Sequence, residues 1–194
     1  MSEFVLRSAR YLAAECMEKV IRSGDTVVDA TMGNGHDTER LAELVGESGH
    51  VYAFDVQEQA VQNTRERLEK AGLLERATLF LESHEHLAER VPTPVRAVMF
   101  NLGWLPGGDK HITTRLDSTH KAVEGALSVL APMGVLCMCV YPGHDEGMRE
   151  LEHLTQYFSS LDPRRFNCLM QTFVNAGEGA PRCFIIQKQC CKAE

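Results

Sequence analysis

Tryptophan occurs once in the 194 residues, at position 104, and aromatic residues make up only 7% of the chain. No two of the seven cysteines form a C-x-x-C pair, so their spacing supports neither a disulfide framework nor a zinc site. Reduced thiols, as in a cytosol, are the reading, and no metal is expected. Long apolar runs are also missing. The most hydrophobic stretch, VLAPMGVLCMCVY, is too short to span a bilayer and contains Pro132 and Gly134. The opening MSEFVLRSARYLAAECMEKV is interrupted by Glu3, Arg7 and Arg10, which does not suit a secretory signal. A cytoplasmic protein without a membrane partner is therefore expected. Positive charge is in deficit as well: 20 Lys and Arg stand against 27 Asp and Glu, a net charge of −7. Nucleic-acid binders are more often basic, because neutralising phosphates releases counterions. The balance argues against an extensive nucleic-acid footprint and leaves room for a local basic patch.

What is present is an ordinary globular composition, 44% hydrophobic and 24% charged. The length fits one domain over 1–194, with an N-terminal helical segment (1–22) before a core (23–194). Residues 4–22 place Val5, Ala9, Leu12, Ala13, Cys16, Met17 and Val20 at helical spacing. Strands are expected at TVVDA, HVYAFDV, ATLFL, RAVMFNL and GVLCMCVY, alternating with helices near 36–45, 57–71, 114–130 and 145–160. Cys137 and Cys139 should share one face of the fifth strand. Such alternation implies a parallel sheet covered on both faces. Two further strands, near 164–173 and 182–188, follow without a helix between them and read as an antiparallel hairpin. The resulting expectation is an α/β fold: a Rossmann-like, seven-stranded sheet with a C-terminal hairpin, as in class I S-adenosylmethionine-dependent methyltransferases.

The stretch VVDATMGNGHDT (27–38) sits where such sheets bind ligands, beyond the carboxyl end of the first strand. Gly33 and Gly35 allow a tight turn and close backbone approach. Thr38 stands where a dinucleotide fingerprint needs a third small residue, and no Gly-Lys-Ser/Thr follows as in a P-loop. Asp29 would repel a pyrophosphate but suits a ligand with a cation, such as a sulfonium. Asp55, at the end of the second strand, can accept hydrogen bonds from both ribose hydroxyls. Together these features point to S-adenosylmethionine. Asn34 equally suits a left-handed backbone, and Asp37 and Thr38 equally complement a helix N-terminus.

Ser83 and His84, after the third strand, either meet an adenine edge or begin a short helix with Ser83 as its cap. Asn101 ends the fourth strand and offers a carbonyl to an amine. Leu102, Gly103 and Trp104 partly resemble the Asn-Pro-Pro-aromatic signature of amino methyltransferases, with both prolines absent. Trp104 either stacks on an unpaired base or packs under its loop. Lys110, His111, Arg115, His120 and Lys121 form the best basic cluster, read as a phosphate contact or as a solvated helix start. Tyr141 lies on the same rim, and His144 is a candidate proton acceptor.

The stretches DATMGNGHDT, VYAFDVQ, SHEHL, NLGWLPGGDKHITT and YPGHDEG, in this order and spacing, resemble the tRNA-modifying methyltransferases formerly labelled rRNA methylases. The resemblance covers nearly the whole chain. It implies a bacterial enzyme that uses S-adenosylmethionine to N-methylate the 5-aminomethyl group of wobble (2-thio)uridine in tRNA. Its partner would be the anticodon stem-loop, and the enzyme a monomer or homodimer. It implies cofactor contacts from Asp29, Thr31, Gly33, Asn34, Gly35, Asp37, Thr38, Asp55, Gln57, Ser83 and His84. Asn101 and the loop bearing Trp104, Gly107, Gly108, Asp109, Lys110 and His111 would face the base. VNAGEGAPR (174–182) departs from the asparagine and paired prolines common in that family. Two rival readings stand beside it: a ribosomal RNA or small-molecule amine methyltransferase, and a non-catalytic cofactor-binding module.

Overall fold

The computed structural model describes residues 8–103 and 114–190. Seven strands form one sheet in the order β3-β2-β1-β4-β5-β7-β6. They are β1 (Thr26–Asp29), β2 (His50–Asp55), β3 (Ala77–Leu81), β4 (Val95–Asn101), β5 (Leu130–Val140), β6 (Phe166–Gln171) and β7 (Arg182–Lys188). The first five run parallel, and β7 inserts antiparallel between β5 and β6. The expected Rossmann-like sheet with a terminal hairpin is therefore present. The order reverses at β1, whose neighbours β2 and β4 leave in opposite directions, and this opens a crevice at their carboxyl ends.

Period-two alternation sorts the side chains between two cores. Val28, Val98, Phe100, Leu136, Met138, Phe184 and Ile186 pack beneath α5 (Leu116–Val129) and α6 (Asp145–Ser160). The intervening Val27, Ala97, Met99, Val135, Cys137, Cys139 and Cys183 pack beneath α1 (Ala9–Val20), α2 (His36–Val45) and α3 (Glu58–Ala71). A short helix, α4 (Leu87–Arg90), follows a single 3-10 turn at His84–His86. The helices bury one stripe each: Ala9, Ala13 and Met17 in α1, and Ala60, Thr64 and Leu68 in α3. Cys137 and Cys139 do share a face, and the six described cysteines are all free.

Among the boundaries that differ from the sequence reading are those of β5 and β6. β5 begins at Leu130 rather than 134, because Leu130 pairs with Val95 before the register shifts and resumes at Ala97 with Val135. Met133 takes a left-handed φ of 63° within that irregular stretch. β6 is shorter than 164–173, since Asp162 turns the chain through bonds to the amides of Arg164, Arg165 and Phe166. No helix among the described residues is long and apolar enough to cross a membrane.

Candidate active site

The loop after β1 is fastened from three sides. The Ala30 amide donates to the Met99 carbonyl and that of Met32 to Phe54, tying the loop to β4 and β2. Asp55 accepts from the Gly33 amide at 3.0 Å and from the Gln57 amide at 3.0 Å. From α3, Thr64 Oγ1 donates to the Gly33 carbonyl, and Arg67 Nε to that of Asn34. Asn34 also accepts from Asn63 through its side chain. Gly33 and Gly35 have φ of 50° and 80°. Met133 is the one non-glycine with positive φ among the described residues, so Asn34 does not fill a left-handed role.

Beyond these strand ends lies a cavity of about 680 Å³, a size typical of small-molecule sites. Thr31, Gly33, Asn34, Asp37, Asp55, Gln57, Ser83 and His84 line it, and so do Asn101, Gly103, Thr114, Arg115, Tyr141 and Arg10. Eight of the eleven expected cofactor residues thus line one space, and Asp29, Gly35 and Thr38 do not. Asp29 and Thr38 are fully buried behind the wall, where Thr38 Oγ1 donates to Asp29 Oδ2 at 2.6 Å and the Thr31 amide donates to Oδ1. Asp29 therefore shapes the loop, and the carboxylate facing the cavity at that end is Asp37. Strand direction explains the exchange: Asp29 continues the inward alternation of β1, whereas Asp37 lies in the exposed first turn of α2.

Burial, reinforced by the nearby Asp37 charge, pushes the Asp29 carboxyl up to about 7 despite the bonds from Thr38 and Thr31. The folded protein therefore keeps this proton over a range, from about pH 4 to about 7, in which the unfolded chain has lost it. The group's contribution to stability falls as pH rises through that window. An Asp29→Asn variant, isosteric and always neutral, should gain stability relative to the parent between pH 4 and 8 in urea unfolding. A difference that stays level with pH would contradict the raised carboxyl.

After β3, Ser83 caps the 3-10 turn, accepting from the Glu85 amide, and also lines the cavity. His84 is 9% exposed. Its Nδ1 lies 3.1 Å from the Ala30 carbonyl, which can only accept, so Nδ1 carries the proton. Burial lowers the imidazole's pKa and keeps it neutral. That leaves Nε2 a buried acceptor without a partner among the described residues.

The opposite end holds a hydrogen-bonded chain. Asn101 Nδ2 donates to Asp37 Oδ2 at 3.2 Å, and Asn101 Oδ1 accepts from the Tyr141 hydroxyl at 2.7 Å. The carboxylate can only accept, which fixes the amide's orientation. Thr31 Oγ1 accepts from the Asn101 amide at 2.7 Å, locking the end of β4 to the glycine loop. Burial raises the Tyr141 hydroxyl to about 12, so it remains a donor at neutral pH. Arg10, from α1, reaches Asp37 Oδ1 at 3.4 Å.

Gly103 and Thr114 pin the stems of the following loop. The Gly103 amide donates to Thr114 Oγ1, and the Thr114 amide donates to the Gly103 carbonyl. Thr114 and Thr119 both donate to Glu150, a carboxylate in α6 with 1% exposure whose pKa burial raises. Sequence reasoning missed Glu150. The signal was there in the α6 stripe Gly147, Glu150, Leu154, Phe158, where position 150 falls on the buried face.

His144 is a correction of a different kind. It caps α6, its Nδ1 accepting from the Gly147 amide at 3.1 Å, and it does not line the cavity. An imidazole acceptor satisfied by a helix N-terminus is a poor proton acceptor for a ligand. Within the basic cluster, Arg115 lines the cavity, whereas His120 bonds His153 and Lys121 pairs with Glu85. Trp104, Gly107, Gly108, Asp109, Lys110 and His111 lie outside the described residues. No set of three or more side chains suited to a metal occurs among the described residues.

Comparison with known proteins yields one family and several close folds. Residues 51–187 match the profile of the family described as "Putative rRNA methylase". The chloroplastic tRNA (mnm(5)s(2)U34)-methyltransferase of Arabidopsis thaliana is 39% identical over 182 residues, spanning 89% of this chain and 66% of the plant protein. A Clostridium thermocellum protein carrying the same description as the family superposes with a TM-score of 0.93 at 36% identity, over 95% of this chain and all of that one. SMU.1697c from Streptococcus mutans, solved in complex with SAH, gives 0.86 at 31% identity over 95% and 99%.

Proposed function

Since the chain belongs to the rRNA methylase family, with a class I methyltransferase fold, we propose that it transfers methyl groups from S-adenosylmethionine to tRNA. More specifically, it N-methylates the 5-aminomethyl group of the wobble (2-thio)uridine. Three supports converge: the name of the 39% identical plant relative, the motif resemblance, and the SAH bound to the Streptococcus protein. The observation that carries the amine reading is the fixed Asn101 amide beside the Tyr141 hydroxyl on the cavity wall.

The cavity's donor set fits the cofactor. Asp55 and the Gly33 region suit the ribose, and the orphaned Nε2 of His84 suits the exocyclic amino group of adenine. When bound, S-adenosylmethionine supplies an electrophilic methyl on a sulfonium. The protein's own part is positional. Asn101 Oδ1 has a lone pair left after accepting from Tyr141, and an amine N–H donating to it turns the nitrogen lone pair toward the reacting end of the cavity. Holding two reactants in line can remove roughly 7–11 kcal/mol of barrier. A substrate ammonium must first release its proton, which partial desolvation in the cavity favours. No strong base is required, consistent with the capping duty of His144.

The direct test uses bulk tRNA from a bacterium lacking this activity, incubated with the protein and methyl-labelled S-adenosylmethionine and then digested for mass spectrometry. Label in 5-methylaminomethyluridine or its 2-thio form is the expected result. Label confined to ribosomal RNA or a small amine would overturn the wobble-base reading in favour of that substrate.

A further inference from the structure

Away from the cavity, four thiols gather in the core beneath α1: Cys16 on the helix itself, Cys137 and Cys139 on β5, and Cys183 on β7. We propose that Cys16 and Cys137 form a reversible oxidation site, where a hydroperoxide oxidises Cys16 and Cys137 then closes a disulfide. The two sulfurs are hydrogen-bonded to each other, and both are free thiols. One belongs to a surface helix and the other to an interior strand, so the bond fastens α1 to the sheet. The same helix carries Arg10 on the cavity wall.

The two cysteines have different parts in the chemistry. Cys16 is half-buried, whereas Cys137, Cys139 and Cys183 are fully buried, so an oxidant meets the cluster at Cys16. The Cys137 thiol donates to Cys16 and lowers its pKa to about 7, against the effect of burial and with help from the Lys19 ammonium. That bond, together with burial, pushes the Cys137 thiol well up, so Cys137 keeps its proton. A thiolate is the form that attacks a peroxide, and oxidation-sensing cysteines stand next to a resolving thiol. The Cys16 thiolate attacks one peroxide oxygen. The O–O bond breaks, a sulfenic acid forms, and the departing hydroxide takes up the proton that Cys16 released. The Cys137 sulfur then attacks the Cys16 sulfur. The S–S bond forms, the S–O bond breaks, and the Cys137 proton leaves with the hydroxyl as water. Two thiols thus give two electrons to one peroxide, which becomes two waters when the oxidant is hydrogen peroxide. Sulfurs already in hydrogen-bond contact need a shift of about 1–2 Å to bond. Cys139 and Cys183 stand opposite one another across β5 and β7 and are also hydrogen-bonded, but neither reaches solvent. A dithiol reductant reverses the bond, and in reducing compartments disulfides are usually transient in this way.

Peptide mapping tests the site on the whole protein. The reduced protein is exposed briefly to stoichiometric hydrogen peroxide, its remaining thiols are blocked with N-ethylmaleimide, and the digest is read by mass spectrometry. The expected result is a linked pair of peptides containing Cys16 and Cys137, two hydrogens lighter than the separate peptides and released by dithiothreitol. In Cys137→Ala the link should vanish, and dimedone should capture Cys16 as its sulfenic acid. That variant also lacks the donor to Cys16. The pH of half-maximal Cys16 alkylation by iodoacetamide should therefore rise from about 7 in the parent to about 8 or above. Cys16 and Cys137 recovered as free thiols after peroxide would overturn the site. So would Cys16 linked to another cysteine, or carried on to the sulfonic acid in the parent protein. An alkylation profile identical in parent and variant would overturn the activation of Cys16 by Cys137. Mapping of the parent needs no substitution, so the test holds even if Cys137→Ala fails to fold.

Discussion

Replacing Asn101 by alanine should lower kcat on aminomethyl-bearing tRNA about a hundredfold, the loss that misplacing a reactant by about an ångström produces. The amide is bonded at both ends, by Asp37 and Tyr141, and its backbone is tied to Thr31 across 70 residues of sequence. Alanine keeps that backbone tie and removes the oriented oxygen together with the amide that donates to Asp37. Affinity for S-adenosylhomocysteine should therefore stay within about threefold, and the fall should appear in kcat more than in KM. Tyr141→Phe keeps the ring and deletes the hydroxyl that steadies the oxygen, so a smaller loss, about tenfold, is expected. Single-turnover measurements with saturating tRNA distinguish the two. An Asn101→Ala enzyme with the parent's rate would remove Asn101 from the reaction. The orientation would then have to come from the loop that Gly103 and Thr114 anchor.

The parts of this site that could be read from sequence are those written locally. Glycines one residue apart after a buried strand, a carboxylate ending the next strand and an asparagine ending the fourth all depend on positions a few residues from an element's end. Period alone locates those ends to within a residue or two. The parts that could not be read depend on which way a side chain turns once distant segments meet. Asp29 and Asp37 are eight positions apart, one ending β1 and the other in the first turn of α2. Only the packing of β1 between β2 and β4 decides that the first is sealed away and the second meets the cavity. In the sequence Asp145 suits the helix cap and His144 proton transfer, whereas in the fold His144 is the cap, its ring accepting the Gly147 amide. Arg10 belongs to a helix whose apolar stripe is obvious. Its place on the cavity wall follows from where that stripe docks, against β5, β7 and β4.

The sharpest consequence for the fold concerns Gly35. A methyl group there would meet the Thr64 backbone at 2.8 Å and Thr64 Oγ1 at 2.9 Å, while its own backbone holds φ at 80°. The strained φ and the overlap add to a destabilisation of about 3 kcal/mol for Gly35→Ala. In a chain of this size that lowers Tm by roughly 6–12 °C. The clash falls on the backbone of α3, so relief requires α3 and the loop to separate. Thr64 would then release the Gly33 carbonyl, and the Gly33 amide would shift from Asp55. Cofactor affinity should therefore fall well beyond what the stability loss alone explains, measurably so at a temperature where the variant is still folded. Trimming the obstacle separates overlap with the Thr64 hydroxyl from the remaining causes. If overlap with the hydroxyl contributes, Gly35→Ala combined with Thr64→Ala should recover part of the Tm, although the clash with the α3 main chain persists. No recovery would assign the loss to the left-handed φ and to the α3 backbone, the two features that no neighbouring side chain can relieve.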